Sequence, residues 1–276
     1  MQTNAKKLDM QKLLAPLALV ILYIVFSIFG NNFLSLDMVK NILESSYYIG
    51  FMAFGVTFII ITGGIDLSLG TVMMTAALLG GYTFKQGWPL ILSVALTILV
   101  GVVFGFINGN LVAKLRLPPF IATLGTQMMA AGLGSLITKV QSQTWPTATA
   151  EVGSWFKKVF IRAELFGVKG FPVGVFWLAG FFIIAALILH KTRFGRYAFA
   201  IGSNEEATRL SGIKVDNWKV AVYTLSGFFI GMSGLFYAAA YTTITPGTGA
   251  GQEMNGITGV IIGGTSMSGG SGTMVG

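Results

Sequence analysis

The segment Ser45–Phe84, SSYYIGFMAFGVTFIIITGGIDLSLGTVMMTAALLGGYTF, contains two long apolar runs and a single charged residue, Asp66. A helix crosses a bilayer with about 20 consecutive apolar residues, and the runs on either side of Asp66 have roughly that length. The motif between them, Gly63–Gly70 (GGIDLSLG), is rich in glycine, which commonly ends helices. The segment therefore predicts two membrane helices separated by a glycine-rich break.

The same pattern extends over the whole chain, in which 54% of the 276 residues are apolar and only 10% are charged. Soluble domains carry about 25% charged residues, so a soluble globular fold is excluded as the first interpretation. The apolar runs are too long and too irregular for barrel strands. We therefore predict an all-α, polytopic bundle of transmembrane helices with glycine-broken helices, organised as one domain over residues 1–276. The eight charge-free stretches are Leu13–Leu36, Ser45–Ile65, Leu67–Phe84, Gln86–Ala113, Leu117–Thr138, Gly170–His190, Val220–Gln252 and Met254–Gly276.

The basic residues give the chain a net charge of +8 and indicate its orientation. If the N-terminus is cytoplasmic, the 18 Lys and Arg residues divide into 11 in cytoplasmic segments and 7 on the outer side. Five of those seven lie in one long outer loop, residues 139–169, and long loops carry less orienting weight. The bias predicts a cytoplasmic N-terminus.

Two other interpretations of the charges and of the first stretch are disfavoured. The basic residues are too sparse and scattered for nucleic-acid binding. The first stretch lacks a cleavage site, which favours an uncleaved anchor over a signal peptide.

A second glycine motif echoes the first. Gly263–Gly270 (GGTSMSGG) and Gly63–Gly70 share the pattern G-G-x-x-x-S-x-G. Paired glycine interruptions in two halves of a chain are typical of transporters built from repeats, with coincidence in a glycine-rich chain as the alternative. Separately, glycines inside spans predict close helix packing at Gly101, Gly105, Gly109, Gly125, Gly132 and Gly134. Gly101, Gly105 and Gly109 stand four residues apart and therefore share one helix face.

Asp66 is the acidic residue of the first motif, at a depth where a carboxylate needs partners. Two roles stay open. Asp66, followed by Ser68, caps the helix predicted over Leu67–Phe84, or it lines or gates a pathway. The candidates for a helix-break or pathway role are Gly63, Gly64, Asp66, Ser68, Gly70, Gly263 and Gly264.

A polar segment between His190 and Lys219 contains the pattern of a short helix over Gly202–Ile213. Asn204 is a good N-cap residue, the acidic pair Glu205 and Glu206 follows in the first turn, and Gly212 stands where a helix stops. Ala207 and Leu210 share one face. A helix of two turns is not stable alone in water, so we expect it to be braced against the membrane domain or docked to another protein, with an ordinary solvated connector as the alternative.

Patterns for catalysis are absent from the sequence. It has no G-x-x-x-x-G-K-[ST] loop, no H-E-x-x-H motif, no cysteine and only one histidine, His190. A Ser–Asp pair without a base is not a catalytic constellation. We therefore predict no catalytic residues, no metal site, no cofactor and no nucleotide site of the chain's own.

Four segments closely resemble the ribose/xylose/galactoside family of ABC-transporter permeases, and the resemblance covers nearly the whole chain in the same order. These segments are Thr57–Thr71 (TFIIITGGIDLSLGT), Leu117–Thr126 (LPPFIATLGT), Thr192–Ile213 (TRFGRYAFAIGSNEEATRLSGI) and Thr245–Thr273 (TPGTGAGQEMNGITGVIIGGTSMSGGSGT). The motif G-G-x-x-x-S-x-G alone would be weak, whereas the four together are specific.

The resemblance implies a membrane subunit of a bacterial sugar importer in the inner membrane. It implies pairing with a second permease subunit, docking of ATP-binding subunits that hold the ATP, and delivery of sugar by a periplasmic binding protein. The helix that contacts the ATPase in such permeases resembles Gly202–Ile213, so the coupling role is carried to Gly202, Asn204, Glu205, Glu206, Ala207 and Gly212. Family members continue through about two more spans, so the C-terminal spans are expected to be missing.

A neutral sugar requires groups that match hydroxyls rather than charges. Polar residues inside spans are therefore the expected lining of the pathway. The candidates are Asn108, Thr123, Thr126 and Gln127. A rival interpretation is a proton-coupled secondary carrier of a small polar solute, in which Asp66 titrates. A non-transporting membrane scaffold is the third class, and it would not need a broken, glycine-rich interior.

Overall fold

The computed structural model describes residues 10–30, 32–165 and 167–275, with the side chains of 10–16, 168 and 169 outside the described part. Most of the described chain is helical. In chain order the elements are α1 (Met10–Phe29), α2 (Leu36–Ile61), α3 (Leu69–Lys85), α4 (Leu90–Ala113), α5 (Pro119–Ile137), β1 (Gln143–Thr144), α6 (Trp155–Phe160), β2 (Arg162–Leu165), β3 (Val168–Pro172), α7 (Gly174–Lys191), α8 (Arg193–Ser203), α9 (Glu205–Leu210), α10 (Val215–Tyr241), β4 (Thr243–Ile244) and α11 (Glu253–Ile262).

The chain divides into two compact units, Met1–Ile42 and Leu43–Gly276. In the described part of the first unit, Phe33 packs on two rings of α1: it meets Tyr23 edge-on and stacks on Phe26. The second unit holds α2 from Leu43 onward, the later helices and the core discussed below. The single domain over residues 1–276 stays a prediction.

The all-α membrane fold predicted from the sequence is confirmed. Five described helices are long and apolar enough to cross a membrane, namely α2, α4, α5, α7 and α10. The described part of α1 adds a shorter apolar helix, Leu17–Phe29. Each of the eight charge-free stretches contains a helix, because an isolated backbone in hydrocarbon must satisfy its hydrogen bonds internally.

Two stretches are less helical than their composition predicts. The stretch Val220–Gln252 is helical only to Tyr241, because the next residue, Thr242, turns the chain with φ +65° into β4. The stretch Met254–Gly276 is helical only to Ile262, where the second glycine motif ends α11. Apolar composition alone does not reveal these ends, since neither is marked by a charge.

The glycine stripe of α4 is closely packed, as predicted, and its partner is α10. A Cβ atom at Gly101 would lie 2.3 Å from the carbonyl oxygen of Gly227, and one at Gly105 would lie 2.3 Å from that of Tyr223. At Gly109 the nearest atom would be the Cα of Val220, at 2.8 Å. The two helix backbones therefore touch at three successive points, one turn apart, which is how small residues bring helices together in lipid.

The prediction of close packing has a mixed outcome in α5. A Cβ at Gly134 would lie 3.2 Å from the side chain of Leu78, as predicted. The prediction is wrong for Gly125 and Gly132, where a Cβ would meet nothing within 4 Å.

Part of the long predicted outer loop packs against α3. Strands β1 and β4 pair antiparallel, with Gln143 opposite Ile244. The indole of Trp145 is fully buried, stacks on Phe156, and donates its N–H to the carbonyl oxygen of Ala77 in α3 at 2.9 Å. The segment around Trp145 is thus anchored to α3.

Candidate functional site

Both glycine motifs end a helix in the same way. After α2, the N–H of Gly63 donates to the carbonyl of Ile60 and that of Gly64 to the carbonyl of Ile59. After α11, the N–H of Gly264 donates to Ile261 and that of Thr265 to Val260. Each pair is the double hydrogen bond of a Schellman C-cap, and its left-handed residue is Gly63 (φ +75°) in one motif and Gly264 (φ +98°) in the other.

The two glycine motifs therefore align differently by structure than by sequence. Aligning the pattern G-G-x-x-x-S-x-G places Gly63 opposite Gly263, whereas the caps place Gly63 opposite Gly264. Gly263 instead has the ordinary φ of −67° and caps α11. The two motifs share the same capping conformation, but the structural alignment is shifted by one residue from the sequence alignment.

Asp66 lies at the centre of a buried polar network and is only 4% exposed. Its Oδ1 accepts from the N–H of Ser68 at 2.8 Å and from the hydroxyl of Ser68 at 2.6 Å. Its Oδ2 accepts from the side-chain amide of Asn108 in α4 at 3.0 Å, and the same amide donates to Ser68 Oγ at 2.8 Å. Thr123 of α5 accepts from the N–H of Leu67 at 3.1 Å. The non-helical turn is thus held by α4 and α5.

The structure differs from the predicted capping role of Asp66. Helix α3 begins at Leu69 rather than Leu67, so Asp66 stands one turn before the helix and closes an Asx turn onto Ser68. Ser68 occupies the N-cap position without a capping hydrogen bond from its side chain. The carboxylate orders the approach to α3 instead of capping it directly.

The remaining predicted lining residues separate into two groups. Thr126 lies buried one turn beyond Thr123 and donates to its carbonyl oxygen at 3.0 Å. Gln127 is half-buried and lies outside the Asp66 network. The structure thus brings Asn108 and Thr123 to the break, while Thr126 and Gln127 lie further along α5.

Two residues at the break were missed by the sequence reasoning. Tyr223 of α10 donates its hydroxyl to the carbonyl of Ile65 at 3.2 Å. Glu253 is buried, accepts from the N–H of Gly251, and lies so close to Gly70 that a Cβ there would be 2.5 Å from its Oε2. The only signal in the sequence was that Glu253 interrupts an otherwise charge-free run.

The short helix predicted over Gly202–Ile213 is present as α9, which covers only Glu205–Leu210 and has Asn204 as its N-cap. Asn204 Oδ1 accepts from the N–H of Ala207 at 2.9 Å, and Gly212 follows the helix with φ +82°. Gly202 belongs to the end of the preceding helix, α8. The caps of α9 therefore match the sequence pattern residue for residue.

Helix α9 is braced against α10 by ion pairs. The Glu205 carboxylate pairs with Lys219 of α10 and with Arg209, and Arg209 pairs with Asp216 at 2.7 Å. Its hydrogen bonds to Asp216 raise the pKa of the Arg209 guanidinium, so Arg209 stays charged at neutral pH. Thr208, which is buried, donates its hydroxyl to the carbonyl of Asn204 at 2.7 Å. Of the two alternatives that the sequence left open for this short helix, the described residues show the bracing, and the docking to another protein stays a prediction.

The two acidic residues of α9 lie in different environments. Glu205 points toward α10, whereas Glu206, Ala207 and Leu210 are exposed. Leu210 is 83% exposed. We call Glu206, Ala207 and Leu210 the outer face of α9.

The family resemblance implies that α9 contacts an ATPase subunit, and the outer face of α9 offers a test. If that contact forms, replacing Leu210 by aspartate should leave the fold intact and weaken docking of the ATPase subunit about tenfold or more. The side chain has little packing within the chain to lose, while a charge at an apolar docking point opposes burial. The measurement is co-purification of the ATPase subunit with the detergent-solubilised variant. The matched control is Val152→Asp, which adds the same charge at a 69% exposed apolar residue in the segment before α6. Equal retention of the ATPase in both variants would contradict the assignment.

The five long apolar helices define the chain as a multi-pass membrane protein. A family model described as the branched-chain amino acid transport system, permease component, matches residues 38–276. The chain belongs to this family of permease components.

Individual relatives agree with this assignment. The chain is 35% identical over 265 residues to the ribose import permease protein RbsC of Escherichia coli strain K12, covering 94% of this chain and 79% of the relative. It is 37% identical over 280 residues to RbsC of Bacillus subtilis strain 168, covering 100% and 84%. It is 34% identical over 262 residues to the fructose import permease protein FrcC of Rhizobium meliloti, covering 94% and 72%. No solved structure matches significantly.

Proposed function

We propose that this chain is the membrane-spanning subunit of an ATP-binding-cassette importer that carries a monosaccharide of the ribose, xylose or galactose kind across the bacterial inner membrane. The observation that carries the proposal is the braced helix α9 with its exposed outer face, in a chain whose sequence contains no phosphate-binding loop. Energy therefore comes from a separate ATPase subunit, and the chain performs no chemistry of its own.

The proposed orientation has a cytoplasmic N-terminus. It places α8, α9 and the loop after α4 on the cytoplasmic side, together with 11 of the 18 basic residues. Glu206, Ala207 and Leu210 then face the compartment that holds ATP. Closure of the paired ATPase subunits would displace α9, and this displacement would reorient the spans.

The proposed pathway borders the two helix breaks. A cleft of about 240 Å³ lies between them and is lined by Ile60, Gly63, Gly64, Ile65, Ile257 and Met267. Transporters assembled from repeats place substrate between discontinuous helices, whose freed backbone groups contact it. Backbone groups suit a neutral sugar, because they form hydrogen bonds with hydroxyls without requiring charge.

The proposed assembly contains two permease subunits, either two copies or a copy with a paralogue, two ATPase subunits and a periplasmic sugar-binding protein. The support is the resemblance of the four sequence segments, together with relatives whose names specify ribose and fructose import permeases. Membrane lipid surrounds the apolar helices. Nucleic acid is not among the proposed partners.

The test is energy-dependent uptake in cells that contain the chain, its ATPase subunit and its binding protein. Labelled D-ribose, D-xylose and D-galactose are supplied in turn. We expect uptake of at least one sugar to continue after a protonophore collapses the proton gradient and to stop when ATP is depleted. Uptake that follows the proton gradient, or accumulation in vesicles that contain this subunit alone, would contradict the proposal.

A further inference from the structure

We propose that Gly202 joins helix α9 to both glycine breaks through a rigid contact between backbones, and that this contact transmits the displacement of α9 to the breaks. The inference rests on the proposed function and adds a positioning residue to it. The contact involves three segments: the end of α8, the end of α2 and the pair Gly269–Gly270. We call these together the glycine junction.

Gly202 has no room for a side chain. A Cβ atom there would lie 1.8 Å from the carbonyl oxygen of Ile61, the last residue of α2, and 2.5 Å from the nitrogen of Gly270. The N–H of Gly270 itself donates to Ile61 O at 2.9 Å. The backbone of α8 therefore lies directly on a hydrogen bond that ties the second glycine motif to the end of α2.

The facing side of the glycine junction is equally restricted. A Cβ at Gly269 would lie 2.9 Å from both the carbonyl oxygen of Gly202 and the nitrogen of Gly63, the left-handed residue of the first break. A Cβ at Gly270 would lie 2.5 Å from Ser203 Oγ. Both residues have positive φ, +80° and +73°, which glycine adopts without strain. Three segments distant in sequence thus meet through backbone atoms.

The connection from the glycine junction to α9 is short and stiff. Asn204 ends α8, with its N–H donating to the carbonyl of Ala200 at 3.0 Å, and the same residue begins α9 through its side chain. One residue therefore separates Gly202 from the residue shared by the two helices. A movement of α9 reaches Gly202 without passing through a flexible linker.

Contacts between backbones transmit a displacement of α9 better than contacts between side chains do. A side chain can change rotamer and absorb a small displacement, whereas a carbonyl oxygen in a helix cannot move without its helix. The glycine junction touches the first break at Gly63 and the second at Gly269, so both breaks respond to the same movement. If the residues only filled space, a bulkier residue would reduce stability and leave the ratio of uptake to ATP hydrolysis unchanged.

The first experiment replaces Gly202 by alanine in the complete complex, reconstituted with its ATPase subunit and binding protein. The probe is D-ribose, D-xylose or D-galactose, whichever the wild-type complex imports. We expect ATP hydrolysis within about twofold of wild type and uptake about tenfold lower, because the added methyl group separates α8 from α2 and Gly270. The control Gly180→Ala, where a Cβ has open space, should match wild type in both measurements. An unchanged ratio of sugar uptake to ATP hydrolysis, whether or not both rates fall, would overturn the proposal.

The second experiment disturbs the glycine junction only after the complex has folded, and it decides the matter if Gly202→Ala does not insert into the membrane. The chain has no cysteine, so Ser203→Cys introduces a single thiol into it. Ser203 is exposed, and a Cβ at Gly270 would lie 2.5 Å from its Oγ, so a group added to this side chain presses on the junction. We expect methyl methanethiosulfonate to lower uptake per ATP in the assembled Ser203→Cys complex several-fold and dithiothreitol to restore it, with the wild-type complex treated alike as the control. Unchanged uptake per ATP in the modified variant would overturn the proposal.

The wild-type complex separates this inference from the proposed function. A wild-type complex without ATP-driven uptake contradicts the function itself. A wild-type complex that imports sugar, together with a Gly202→Ala complex of unchanged uptake per ATP, contradicts only the role of the glycine junction.

Discussion

Replacing Gly105 by leucine is expected to abolish folding of the helix bundle, and Gly105→Ala is expected to lower the free energy of unfolding by about 1–3 kcal/mol. A Cβ at this position would lie 2.3 Å from the carbonyl oxygen of Tyr223 and 2.9 Å from the Cα of Gly227. Ordinary contacts between carbon atoms are about 3.5–4.0 Å. Helices α4 and α10 would have to separate by about 1 Å or more, and the obstructing atoms are backbone atoms that cannot change rotamer.

The consequence extends beyond the two helices. Asn108 follows Gly105 by one turn on α4 and donates to Asp66, while Tyr223 of α10 donates to Ile65. Separating α4 from α10 therefore also removes hydrogen bonds from the first helix break. We expect a lower midpoint of thermal unfolding in detergent for Gly105→Ala and little extractable protein for Gly105→Leu.

The control for this prediction is Gly180→Leu in α7. Gly180 is exposed, and a Cβ there meets nothing within 4 Å. Its leucine variant should be produced and should unfold like wild type. If both leucine variants behave alike, close packing of α4 on α10 does not determine the stability of the bundle.

Local patterns in this chain were sufficient for local structure. The cap of α9 by Asn204, its end at Gly212 and the glycine face of α4 all follow from residues within one or two turns of each other. Such features depend on helix periodicity and on backbone freedom, both of which are properties of a short segment. The sequence therefore predicted them at the level of individual residues.

Features that depend on distant segments were not predictable in the same way. The partner of Glu205 is Lys219, fourteen residues away, so the sequence alone could not separate Glu205 from its exposed neighbour Glu206. The contact of Glu253 with Gly70 joins residues separated by most of the chain. The sequence alignment of the two glycine motifs is also one residue out of register. It places Gly63 opposite Gly263, whereas the left-handed residues are Gly63 and Gly264.

The buried carboxylate gives the second prediction of large effect, since it separates a structural role from a proton-coupling role. Replacing Asp66 by alanine leaves the N–H and O–H of Ser68 and one amide hydrogen of Asn108 without their acceptor. Each buried donor left unpaired costs about 1–3 kcal/mol. We expect a marked drop in the midpoint of thermal unfolding and loss of uptake.

Replacing Asp66 by asparagine should have a much smaller effect if the role is structural. The retained side-chain oxygen accepts from Ser68, and the new amide faces Asn108, whose Oδ1 has no hydrogen-bond partner among the described residues. A rotation of the Asn108 amide turns that oxygen toward the new donor. Uptake driven by ATP should therefore remain above about half of the wild-type rate, and the midpoint of unfolding should lie closer to wild type than that of Asp66→Ala.

A carrier that couples protons through Asp66 predicts a different result for the uptake and stability of the same two variants. Asparagine cannot titrate, so Asp66→Asn would be folded and inactive, and it would resemble Asp66→Ala in uptake while resembling wild type in stability. Measuring both quantities for both variants distinguishes the two mechanisms, because stability and uptake change together only if the carboxylate acts by holding the turn. We expect them to change together, since three hydrogen bonds from Ser68 and Asn108 converge on this carboxylate. A stable but inactive Asp66→Asn protein would show that the charge of Asp66, and not its geometry, is required for transport.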